Sequence, residues 1–281
     1  MMLSSRPKRD LPLAYLVGRL ENVPCILLLH TAALSFRKKE KKEKNLEFSA
    51  WDLFDLYVVH SHALVSGLRH RRPDANIVVS GWPSMQDMST HGDRPAPPYW
   101  RPGEVFIGYP LVGDYELVEP LARAAKRAGV VMVFKGRAPG GDRGIIVSNV
   151  PVTCRDSVIV YDYKDITLRE FFAGLDGLIT GRTNVGFEAV EQGMPVISML
   201  SEREKREYRR RDIEPYDFAY RIVHSRGDLE RSLVELRLMS TSSKAELAAS
   251  QQDKYHSLFP GYDVSTVTGA IENVAKLNMN K

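Results

Sequence analysis

The chain has 281 residues, enough for one large or two modest α/β domains with a sizeable core. Hydrophobic residues make up 43% and charged residues 26%, the proportions of a soluble globular protein. A net charge of +4 suits anionic ligands without singling out nucleic acid.

Cys25 and Cys154 lack metal-ligand spacing and set up neither a disulfide framework nor a zinc site. No apolar run reaches the roughly 18 residues that span a bilayer. The first ten residues are polar and basic, with no signal-peptide pattern of adequate length behind them. The expected location is the cytoplasm.

In chain order, residues 11–21 have helical apolar spacing, and 24–29 form the near-continuous apolar run of a buried parallel strand. That run ends at His30-Thr31. Ligands bind at strand carboxyl ends in open α/β sheets, and an imidazole pKa near about 6.5 suits proton abstraction. The alternative for His30 is a strand-end histidine bonded to a carbonyl. Arg37 to Lys44 is a run of basic and acidic residues that reads as a solvated loop or helix face. The same run suits contact with an anionic lipid or a phosphorylated acceptor.

Residues 56–60 form another buried strand, with Ser61-His62 at its end and a short helix to about residue 70. A strand at 76–80 follows, closed by Gly81-Trp82-Pro83. His60 and His62 are weaker candidates than His30, because alternation turns one of them toward the core. Pro95, Pro97, Pro98 and Pro102 make residues 91–103 a stiff, extended linker and the expected domain boundary.

Beyond it the βα rhythm implies a parallel sheet with right-handed crossovers. Strands are expected at 104–109, 130–135 and 157–161, and helices at 114–128 and 168–175. Two loops stand at strand carboxyl ends. The loop from Gly108 to Gly113 is either a plain Gly/Pro loop or a phosphate contact. Lys135-Gly136-Arg137 places two cations where an anion is needed to balance them, and Lys135 is the one expected to neutralise leaving-group phosphate.

From Asp176 to Met199 the pattern is strand (178–180), turn (181–184), two helical turns (185–191) and a second strand (195–199), with Gly193 suited to the helix C-cap. The turn Gly181-Arg182-Thr183-Asn184 leaves backbone N–H groups at a helix start, where phosphate is favoured. Glu188, one turn on, can accept from a ribose diol. Residues 201–211 are densely charged, with Arg206 or Arg209 as further donor contacts. The remaining expectations are a last strand at 218–223 and helices at 227–239, 244–258 and 264–277.

Thr180-Gly181-Arg182-Thr183, followed by Glu188-Ala189 and Gly193-Met194-Pro195-Val196, resembles the nucleotide-binding signature of GT-B glycosyltransferases. The resemblance points to the branch holding the CDP-glycerol glycerophosphotransferases and the UDP-GlcNAc 2-epimerases. Ile77 to Pro83 is similar to the turn that closes the N-terminal domain in that branch. The resemblance implies an α/β fold of two Rossmann-like lobes. Residues 1–90 would be a shortened, acceptor-side lobe, 91–103 the linker, and 104–281 the donor-binding lobe with closing helices.

It further implies that Gly108, Lys135, Gly181, Arg182, Thr183 and Asn184 hold the donor diphosphate, that Glu188 holds the ribose, and that His30 is the base for the acceptor hydroxyl. No cofactor beyond the nucleotide-diphosphate donor and no metal is expected. The implied function is metal-independent transfer of a sugar or alditol-phosphate in cell-surface glycan or polymer synthesis. The implied partners are a nucleotide-sugar or CDP-alditol donor and a glycan, polyol or lipid-linked acceptor, with no specific nucleic acid. Peripheral contact with the inner face of an anionic membrane through Arg37–Lys44, and an oligomer or partner completing the N-terminal lobe, complete the expectations. The alternatives are a non-catalytic nucleotide-binding scaffold on a degenerate GT-B fold, and a nucleotide-sugar 2-epimerase.

Overall fold

The computed structural model describes residues 2–4, 24–28, 54–62, 64–65, 68–69, 72–81, 97–111, 113–137, 142–181, 183–199 and 219–279. These fall into two compact units. One holds the described residues up to Gly81 and those from His256 onward; the other holds those from Pro97 to Tyr255.

The first unit is built on a parallel sheet of β1 (Met2–Ser4), β2 (Cys25–Leu28), β3 (Leu56–Val59) and β4 (Ile77–Val79), in that spatial order. Ile26 pairs with Leu56 and Tyr57 with Ile77. Successive side chains in a strand point to opposite faces, so a continuous apolar run supplies both. Cys25, Leu27, Tyr57 and Val59 pack with Leu64 and Leu68 of the crossover after β3. Ile26, Leu56 and Val58 pack instead with Val267, Ile271 and Val274 of the chain's last helix, Val264–Met279.

Gly81 closes β4 with φ of 71°, and a Cβ there would lie 2.1 Å from the Pro260 carbonyl oxygen. Only glycine permits both the left-handed backbone and that approach. His60 is buried, with Nδ1 2.7 Å from the Gly81 carbonyl oxygen and 3.3 Å from Ser80 Oγ. It is thus bonded at a strand end, while His62 is exposed and its backbone N–H donates to the Leu258 carbonyl.

The second unit is a six-stranded, wholly parallel sheet. Its elements are β5 (Phe106–Pro110), α1 (Val118–Ala128), β6 (Val131–Lys135), α2 (Asp142–Asn149), β7 (Val158–Tyr161), α3 (Leu168–Ala173), β8 (Gly177–Thr180), α4 (Val185–Glu191), β9 (Val196–Met199), β10 (Arg221–Val223), α5 (Arg226–Leu238) and α6 (Thr241–Leu258). The last helix is α7. The spatial order is β10-β9-β8-β5-β6-β7, so the winding reverses between β5 and β8.

One face of this sheet is covered by α1 and α5. Val118, Leu121, Ala125, Leu229, Leu233 and Leu236 meet Ile107, Tyr109, Met132, Phe134, Ile179 and Ile197 in a single core. Burying each such aliphatic side chain contributes about 1.5–3 kcal/mol. Helix ends follow local chemistry. Thr167 and Glu170 form a reciprocal capping box at α3, Ser225 accepts from the Asp228 N–H at α5, and Gly129 ends α1 in the left-handed region.

The proline-rich segment at 97–100 packs on this unit. Tyr99 is buried, stacks at 5.3 Å from Phe106, and donates its hydroxyl to the Phe171 carbonyl at 2.5 Å. At the chain's other end, α7 packs on the first unit's sheet.

Candidate functional site

In a doubly wound sheet, a ligand fits outside the strand carboxyl ends where the winding reverses, because the flanking loops diverge there. Here that position is between β5 and β8. The turn after β8 is compact: the Thr183 N–H donates to the Gly181 carbonyl at 3.1 Å, and the Gly186 N–H to the Thr183 carbonyl at 3.3 Å. Thr183 Oγ1 accepts from the Val185 N–H at 3.4 Å, and Asn184 leads into α4 in helical conformation without a side-chain cap.

Glu188 follows one turn along, half-buried, with its Oε2 screened from solvent. At the far end of α4, Gly193 is left-handed with φ of 69°, and Gln252 Nε2 donates to the Val190 and Glu191 carbonyls at 3.0 and 3.2 Å. Phe187 packs against Tyr255 of α6 at 6.0 Å. Burial, with the charges of Glu191 and Glu188 nearby, pushes the Tyr255 phenol well up from its ordinary value. The C-terminal half of α4 is therefore clamped by α6, and its N-terminal end lies at the carboxyl edge of the sheet.

The structure groups Gly181, Thr183, Asn184 and Glu188 at the end of β8. Gly108 lies inside the neighbouring strand β5, where a Cβ would meet Leu175 Cδ1 at 2.4 Å and Phe171 Cζ at 2.8 Å. Its small size lets the helix face approach the strand. Lys135, at the end of β6, is separated from β8 by β5. Only 8% exposed, it donates Nζ to the Tyr163 carbonyl at 2.9 Å and lies 5.5 Å above that ring. Burial pulls the ammonium pKa down, opposed by Asp165, Asp162 and Glu170. This lysine is directed at the loop after β7. His30 and Arg182 lie outside the described residues, as do Arg206 and Arg209.

Asp142 was not among the sequence expectations. It begins α2, is 5% exposed, and accepts the Arg137 N–H at Oδ2 (2.6 Å) and the Tyr115 hydroxyl at Oδ1. Tyr115 is held in its neutral form by that carboxylate, its pKa raised first by the hydrogen bond. The only local signal was an acidic residue at a helix start, in a segment whose Gly, Ile, Ile and Val favour a helix weakly. Among the described residues no group of three or more His, Cys, Asp and Glu side chains is placed to hold a metal. Nor is any described helix long and apolar enough to cross a membrane.

Two α/β units on parallel sheets, the second with its winding reversed beside a strand–turn–helix that carries a shielded glutamate in its first helical turn, constitute the GT-B fold. Solved structures of this kind include S. aureus MnaA with UDP, at 16% identity and a TM-score of 0.58 over 95% of this chain and 72% of that one. The UDP-N-acetylglucosamine 2-epimerase assigned in Listeria monocytogenes is similar at 13% identity and 0.59, over 95% and 72% of the two chains. The wall teichoic acid polymerase TagF is similar at 14% identity and 0.52, over 92% and 70%. No family model and no curated protein sequence matches the chain.

Proposed function

We propose that the protein is a GT-B transferase that moves a sugar or alditol-phosphate from a nucleotide-diphosphate donor to an acceptor hydroxyl. The observation that supports this most directly is the reversal of winding between β5 and β8, with the Gly181–Asn184 turn and Glu188 at that point. The donor diphosphate lies at the turn that enters α4, and Glu188 accepts from the ribose hydroxyls. Donors fixed in place before the reaction stabilise charge on the leaving phosphate as it develops, without reorganising.

His30 takes the proton from the acceptor hydroxyl as its oxygen forms the new bond and the bond to the leaving nucleotide breaks. The acceptor is a glycan, polyol or lipid-linked alcohol, and the setting is cell-envelope synthesis at the cytoplasmic face of a membrane. The donor assignments follow the resemblance of the Thr180–Val196 motif, and that of His30 follows the strand-end histidine of the resembled family.

The test is nucleotide binding. UDP, CDP or GDP should raise the melting temperature by mass action, with CMP as a monophosphate control. Glu188→Ala should weaken the best nucleotide by about 1–3 kcal/mol, the loss of hydrogen bonds to a charged acceptor. If no nucleotide binds, or if Glu188→Ala leaves every dissociation constant unchanged, the donor site is not here. Binding with no transfer to any hydroxyl acceptor would favour a non-catalytic nucleotide-binding protein.

A further inference from the structure

The carboxyl edge of the second sheet carries two charged groups that their neighbours have drawn inside, Lys135 and Asp142. Asp142 is a buried carboxylate, and taking a charge out of water costs several kcal/mol unless its oxygens are satisfied. Two of its bonds go to different loops. Oδ2 accepts the backbone N–H of Arg137, in the turn after β6, and Oδ1 accepts the hydroxyl of Tyr115, in the single turn after β5. The fit is close: a Cβ on Gly136 would lie 2.8 Å from Asp142 Cβ and 3.1 Å from its Oδ2. Gly136 is thus needed to let the carboxylate reach the turn.

The loop after β5 has a second tie, the Tyr109 hydroxyl to Asp114, and the Leu111 N–H donates to the Lys135 carbonyl at 3.0 Å. Lys135, the other cation of this turn, is committed to Tyr163. Arg137 is exposed, and among the described residues its guanidinium forms no ion pair. The turn therefore presents one solvated cation on a backbone fixed by a buried carboxylate. An apolar pair could hold the two loops together at lower desolvation cost. What a carboxylate adds is a fixed direction for two hydrogen bonds, one of them to the backbone of the residue carrying the cation.

We propose that Asp142 is a positioning residue for the nucleotide site: by joining the loops after β5 and β6 it holds Arg137 where an anionic nucleotide at the β5–β8 reversal meets it. This inference rests on the donor-site reading above. It adds to that reading the structural reason that the backbone at Gly136 and Arg137 is held by Asp142 before the ligand arrives, so that less ordering is required on binding.

The experiment uses the full chain and titrates UDP, CDP and GDP into wild type, Glu188→Ala, Asp142→Ala, Asp142→Asn and Tyr115→Phe, with circular dichroism and melting temperature recorded for each. Asp142→Ala should raise the dissociation constant about tenfold, the scale of one lost charge-assisted hydrogen bond. Asp142→Asn should recover most of that loss, because the amide oxygen accepts from Arg137 and the amide nitrogen donates to the tyrosine oxygen. The Arg137 amide should exchange with solvent faster in Asp142→Ala and be protected again in Asp142→Asn, which loss of general stability would not reproduce.

If Asp142→Ala does not fold, Tyr115→Phe removes a single bond from the same junction and should still weaken binding several-fold, about the worth of one hydrogen bond. Unchanged affinity in a folded Asp142→Ala, with Glu188→Ala weakened, overturns the positioning role and leaves the donor site standing. Absence of nucleotide binding by wild type overturns the donor site and this role with it.

Discussion

The two parallel sheets are wound differently, and under the proposed function the difference separates a structural half from a donor-binding half. In the first unit the strands follow chain order from β1 to β4, so among the described residues the winding never reverses. Right-handed crossovers then put successive connections on one face. The crossover helix after β3 does lie on the Cys25–Leu27 side, and the opposite side is covered from far along the sequence by α7. In the second unit the order reverses at β5 and β8, so its own helices cover both faces, and such a reversal is where doubly wound sheets bind ligands. A one-way sheet needs a late helix to complete its core; a two-way sheet completes its own.

That comparison is broken most forcefully at Leu56, fully buried on the face under α7. Leu56→Ala should cost about 2–5 kcal/mol of stability in denaturant titration, the range for a large-to-small change in a packed core. Nucleotide affinity should stay at the wild-type value at temperatures where the variant is folded. A parallel loss of affinity would mean that the first sheet shapes the donor site, and the division of labour would fail.

Two glycines sharpen it. Gly81 faces a backbone carbonyl and has a left-handed φ, so Gly81→Ala has two sources of strain, neither relieved by a side-chain rotation. A cost of about 3 kcal/mol is expected, without effect on nucleotide binding. Gly108 meets the side-chain tips of Leu175 and Phe171, which can shift. Gly108→Ala should cost about 1–3 kcal/mol. It should also weaken nucleotide binding, because it displaces β5 beside the reversal. Equal effects on affinity from both substitutions would contradict the assignment of the site to the second unit.

Much of the fold was legible because apolar runs set strands wherever both faces are buried. The strand expected at 130–135 is found at Val131–Lys135, and that at 157–161 at Val158–Tyr161. The helix expected at 114–128 begins with a 3₁₀ turn at Tyr115–Leu117 and becomes α-helical only from Val118, with Pro120 in its first turn, where the missing N–H costs nothing. The helix Asp142–Asn149 was missed because its composition favours strand as much as helix. At the site, the Gly181–Asn184 turn and Glu188 were readable from local order alone. The junction at Asp142 was not, since its partners Tyr115 and Arg137 are far apart in sequence and nothing local pairs them. The sequence reading favoured Lys135 over Arg137 for the phosphate; which of the two stays solvated depends on which one the loop after β7 draws in, and no local pattern shows that.

The smallest expected effect concerns that lysine. Lys135 is charged in water but nearly enclosed here, and burial lowers its folded pKa below the unfolded value despite the opposing carboxylates Asp165, Asp162 and Glu170. At a pH between the folded and unfolded values, the unfolded chain holds more of this proton than the folded one. Stability from this group therefore rises with pH through that window, up to about 10.4, and the burial cost is fully present below it. Lys135→Met should change stability at pH 7 by less than about 1 kcal/mol, since the lost bond to Tyr163 is offset by the removed cost of enclosing an ammonium. Relative to Lys135→Met, wild type should gain stability as denaturant titrations move from pH 7 toward pH 10.5, within about the ordinary lysine range. Nucleotide affinity should be unchanged, because the amine is directed toward the loop after β7. A loss of about tenfold or more in a folded Lys135→Met would return the lysine to the donor phosphate, beside Arg137.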